Sequence, residues 1–274
     1  MRPAWGRWAA AAALAALVAA VAFPFYWALA ASFTPEARLF EKPTLWPERL
    51  VLDHYRALWD ERSFWVPIRN SLVVAGTTTL FCVAAGALAA YALARLRFRG
   101  KTLVLGFLLA ATMFPQISIV SPLYLLLRSL GLIDTFPGLV LPYLTFAMPL
   151  TVWILTGFFR QLPADLEEAA YVDGATRWQT FTRVLLPLAA PGLATAGILT
   201  FIYCWNEFLF ALSFTLGPER QTVPVAIALF RGRYQVPWGQ ILAAAVMATA
   251  PVAALVLAFQ RRIVQGLTAG AVKG

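Results

Sequence analysis

The chain has 274 residues, of which 61% are apolar and 13% charged, with a formal net charge of +9 at pH 7 and a mean hydropathy of +0.72. A soluble domain of this length carries about twice that share of charge, so composition excludes a water-soluble globule. The positive excess lacks the basic, aromatic-studded face that nucleic acid requires, and membrane orientation accounts for it.

Several apolar runs reach the roughly 20 residues that span about 30 Å of hydrocarbon as a helix. Helices are the backbone solution for such runs, so the chain reads as an all-α polytopic membrane protein with six spans, near 9–31, 67–93, 103–127, 137–159, 187–211 and 241–259. The first span follows Arg2 and Arg7 and ends on Ala28-Leu29-Ala30, a small-residue pattern resembling a signal-peptidase site. Its apolar run is longer than a secretory core, so an uncut anchor is expected. In segment 32–66, Arg38, Lys42, Arg49, Arg56 and Arg62 are balanced by Glu36, Glu41, Glu48, Asp53, Asp60 and Glu61, giving a solvated surface that holds the sole histidine, His54.

After the second span, Arg95, Arg97, Arg99 and Lys101 gather in "RLRFRGK" with no acid. Short positive loops stay cytoplasmic, which places both termini and 160–186 inside and 32–66, 128–136 and 212–240 outside. Gly100-Lys101-Thr102 imitates the end of a phosphate loop, but Arg95 stands where that loop needs glycine, and no strand precedes it. The chain binds no nucleotide by this route. The two cysteines, Cys82 and Cys204, fall in apolar runs and read as small buried hydrophobes.

The element over 163–183 is too polar to cross a bilayer. Pro163 suits a first helical turn, and Asp165, Glu167 and Glu168 load the positive end of the helix dipole. Leu166, Ala169, Ala170 and Asp173 recur at i, i+3, i+4 and i+7, and Gly174 supplies a left-handed stop. Asp173 or Thr176 can then cap a second helix bearing Trp178 and Phe181, with Pro187 opening the next span. Helices that lie on lipid carry Lys and Arg on the polar face; this one carries acids, so it is shaped to dock against a protein.

Glu168-Ala169-Ala170, Gly174 after three residues, Val184 after nine more, and Leu186-Pro187 after one resemble the EAA loop of binding-protein-dependent ABC importer permeases, with Val184 in place of the usual Ile. "AAYALARLRFRGK", "MFPQISIVSPLY", "WNEFLFAL" and "QRRIVQGLTAGAVKG" are further similar to the maltose-type sugar permease subunit, covering most of 70–274. The resemblance implies a type I ABC importer permease fold and import of a mono-, di- or oligosaccharide across a prokaryotic cell membrane. Glu168, Ala169, Ala170, Asp173, Gly174, Leu186 and Pro187 would seat in a groove of an ATPase, and tail 263–274 would reach toward the ATPase dimer interface. It implies two ATPase copies holding ATP and Mg, a second and different permease chain, and a periplasmic or lipid-anchored solute-binding protein. No cofactor, metal or catalytic site is expected on this chain.

A pathway for sugar needs polar groups facing a cavity. The candidates are Gln116, Ser118 and Ser121 on the third span and Tyr203, Trp205, Asn206 and Glu207 on the fifth; helix–helix bonding is the alternative role for such residues. Pro115, Pro122 and Pro191 free carbonyls and kink helices. Rival functions are a permease of the same fold for another solute and a secondary transporter or channel acting alone, which needs repeats and relay charges that are not evident. An intramembrane enzyme is weaker still, since no ligand cluster or nucleophile–base pair falls in the spans.

Overall fold

The computed structural model describes residues 4–41, 45–230 and 236–271, and all regular structure among them is helical. The main helices are α1 (Ala4–Ser32), α2 (Trp65–Arg95), α3 (Lys101–Thr112), α4 (Gln116–Ser129), α5 (Phe136–Gln161) and α6 (Asp165–Val172). They continue as α7 (Arg177–Leu188), α8 (Ala190–Trp205), α9 (Leu209–Phe214), α10 (Val223–Ala228) and α11 (Trp238–Ala271). Four of them, α1, α2, α5 and α11, are singly long and apolar enough to cross a bilayer. The pairs α3–α4 and α7–α8 meet the same test jointly, giving six spans when each pair counts as one.

Both pairs are sharply bent. The run expected as one span over 103–127 turns by 93° between α3 and α4. Pro115 caps α4 at φ −65° and ψ 116°; it lacks an N–H and disfavours helix at the residue before it. The second pair bends by 73° at Ala189, so Pro187 lies in the helix before the bend and does not open the span. There the helix widens to a π-helical stretch over Thr180–Leu185, where Thr180 and Thr182 bond back to the carbonyls of Thr176 and Trp178. The run expected over 187–211 also breaks at residues 206–208, between α8 and α9.

The helices group into two compact units, Met1–Trp65 with Ile227–Pro251 and Val66–Ala226 with Val252–Gly274. In the first, α1 leaves its apolar window unburied, and the segment after it has a small core of its own. Leu58 and Phe64 are enclosed, His54 bonds the Thr34 carbonyl at 2.9 Å, and Glu36 accepts the amides of Trp238 and Gly239, both at 2.9 Å. This segment is therefore more than a solvated surface.

In the second unit α2, α5 and α8 pack around two apolar clusters. One joins Cys82, Tyr143, Cys204, Phe210 and Phe214; the other joins Tyr91, Phe159, Phe181 and Leu185. Both cysteines are buried and free. A methyl group on Gly192 would stand 2.4 Å from the Phe158 ring, so α8 approaches α5 as closely as it does because that residue has no side chain. Helix α11 continues through Ala271; side chains from Arg261 onward and residues 272–274 lie outside the described residues.

Candidate functional site

Helix α6 starts two residues after Pro163, with Ala164 at the N-cap and no capping side chain, so its acidic first turn faces the exposed amides. Gly174 ends it at φ +79°, a conformation that costs other residues roughly 1–2 kcal/mol. Thr176 then caps α7 in a reciprocal box, taking the Gln179 amide at 3.2 Å while Gln179 Oε1 takes the Thr176 amide at 2.8 Å. The expected face does not point one way. Leu166 and Ala170 turn toward the chain's own core, while Glu168, Ala169, Tyr171, Val172, Asp173 and Gly174 are exposed. Leu186 is half-buried and Pro187 exposed. The outward surface is thus an acidic, small-residue strip around Glu168-Ala169 and Val172-Asp173.

One pairing at this end was not legible in the sequence. Arg95 Nε lies 2.9 Å from Glu167 Oε1, with side chains only 13% and 14% exposed, and an Nη of Arg95 donates to the Leu162 carbonyl. Both residues carry ordinary surface-type charges, and nothing in their spacing pairs them.

Of the pathway candidates, Gln116 and Tyr203 come together. Gln116 Nε2 donates to the Tyr203 hydroxyl at the wall of a cavity of about 410 Å³, which Thr112, Phe146, Leu150, Trp153 and Thr200 also line. Aromatic faces with planar and hydroxyl polar groups are the surface that a carbohydrate's C–H faces and hydroxyls complement. Trp153 and Thr200 were not singled out from sequence, because nothing local sets which face of an apolar helix meets a cavity. Ser118 and Ser121 are exposed elsewhere on α4. Trp205 is buried against Phe201 with ring centroids 5.7 Å apart, and Asn206 bonds back to the Ile202 carbonyl at 2.8 Å. Glu207 is 8% exposed and accepts the amides of Phe210 at 2.8 Å and Ala211 at 3.1 Å. As the one acid in the expected spans it needs a partner, and that partner is the start of α9.

Residues 83–269 match the family described as binding-protein-dependent transport system inner membrane component. The chain is 48% identical over 253 residues to the trehalose transport system permease protein SugB of Mycobacterium tuberculosis (strain CDC 1551 / Oshkosh), covering 92% of each. It is 43% identical over 254 residues to the trehalose/maltose transport system permease protein MalG of Thermococcus litoralis, covering 92% of this chain and 91% of that one. Its fold matches a chain of a bacterial ABC transporter involved in the import of the acidic polysaccharide alginate, with a TM-score of 0.81 at 21% identity over 95% of this chain and 98% of that chain.

Proposed function

Since the chain belongs to the binding-protein-dependent transport system inner membrane component family, as a membrane permease subunit with the type I ABC importer fold, we propose that it imports a disaccharide of the trehalose or maltose kind. Its energy comes from ATP hydrolysed, with Mg, on two copies of a partner ATPase; this chain itself has no catalytic site. A second permease chain completes the pathway, and a solute-binding protein delivers the sugar from outside. Termini, α6 and the Arg95 loop face the cytoplasm, in line with the positive loop.

The observation that carries the ATPase partnership is the exposed strip of α6, turned outward by Gly174. Glu168, Ala169, Asp173 and the exposed Pro187 contact the ATPase, Gly174 shapes the turn, and Ala170 and Leu186 support it from the chain's own side. Ala169 keeps the surface low, so an opposing backbone can approach closely. The pathway passes the Gln116–Tyr203 cavity; Trp205 and Glu207 act by holding α8 and α9 in place, and Ser118, Ser121 and Asn206 line the route beyond the cavity as it alternates between outward and inward access.

The test is uptake of labelled trehalose or maltose into vesicles holding the complex, with binding protein outside and ATP inside. We expect ATP-dependent uptake and roughly tenfold weaker ATPase retention, about 1.4 kcal/mol, in Glu168→Lys. Equal uptake by vesicles without the ATPase would refute the proposal.

A further inference from the structure

Arg95 stands where three elements meet. It is the last residue of α2; it bonds Leu162, the C-cap residue of α5; and it pairs with Glu167 in the first turn of α6. Between α5 and α6 the chain has only Leu162, Pro163 and Ala164, with Leu162 extended at φ −67° and ψ 137°. Glu167 and Glu168 are consecutive, yet the first is enclosed and the second exposed. The acids of α6 are thereby divided between the chain's own helices and the outside.

A buried ion pair is a poor source of stability, because desolvation offsets the attraction, and matched apolar residues often do as well. Its distinctive property is resistance to separation: drawing the partners apart leaves an uncompensated charge in a dry place. The ring contacts beside it, Tyr91 to Phe181 at 4.9 Å and Phe159 to Phe181 at 6.1 Å, are non-directional and tolerate sliding. The guanidinium adds a directional hydrogen bond to the Leu162 carbonyl and a close charge contact to Glu167 at 2.9 Å.

We propose that Arg95 and Glu167 form a strut that makes α6, the end of α5 and the end of α2 move as one body. A displacement imposed on α6 by its docked partner then reaches α2, and the three-residue link does not absorb it. Both are positioning residues; neither touches sugar or nucleotide. The strut rests on the docking reading given above.

The informative variant is Arg95→Met with Glu167→Leu, which removes both charges and leaves apolar packing in their place. In the reconstituted complex it should retain the ATPase and hydrolyse ATP as the unmodified protein does, while sugar imported per ATP falls by roughly two- to thirtyfold, the range in which coupling residues act. Glu167→Gln alone should lower the same ratio. An unchanged ratio in the double variant would show that the pair merely staples the fold, and failure of that variant to assemble would likewise overturn the strut. If the unmodified chain itself fails to retain the ATPase, the docking reading falls first, and the strut with it.

Discussion

Glu207 shows how a single residue's role depends on what it faces. As the one acid in an expected span it needed a partner, and the sequence could not say whether this was sugar, water or a neighbouring helix. Its two oxygens take the amides of Phe210 and Ala211, so it does for α9 what a capping side chain does for a helix start. Glu207→Ala leaves both amides unsatisfied and should cost about 1–3 kcal/mol, seen as a lower melting temperature of the solubilised complex together with reduced uptake. Glu207→Gln keeps one acceptor oxygen and should lose less. An Ala variant that melts and transports normally would show that the cap is dispensable. Gln116 and Tyr203, two of the polar residues singled out from sequence, meet at a shared cavity wall.

Among the elements, the α6–Gly174–α7 turn was the most legible, because glycine and a Thr-x-x-Gln box act over a few residues. Gly174 adopts φ +79°, whereas proline holds φ near roughly −65°. Gly174→Pro should therefore reorient α6, with the chain still inserted in membrane but the ATPase lost on purification. Gly174→Ala should cost about 1–2 kcal/mol and weaken retention without abolishing it. Normal retention by the Pro variant would sink the docking role of this turn. The broken spans were half legible. Pro115 and Pro191 marked interruptions next to the bends of 93° and 73°, but the second also depends on how Ala189 is buried and how Gly192 meets Phe158. The outward face of α6 was misjudged for a related reason: a short helix with alanines on several sides has no periodicity strong enough to set its rotation.

For the whole molecule, the long last helix changes the question about the tail. Removing residues 264–274 takes away the final helical turns of α11, whose backbone runs to Ala271. The spans and the assembled complex should survive, while transport-coupled ATP hydrolysis should fall; full-rate hydrolysis and import by the truncated complex would show the segment to be only a terminus. Apolar length, the positive loop, and punctuation by proline and glycine are local free energies, and these the order of residues determined by itself: what fills 30 Å of hydrocarbon, which loop stays inside, where an N–H is missing or φ must be positive. The meetings of polar groups were decided by tertiary structure alone. Gln116 finds Tyr203 across 87 positions, and Arg95 finds Glu167 across the end of α5. Such encounters depend on how each helix is rotated and bent against its neighbours, and no local pattern encodes that.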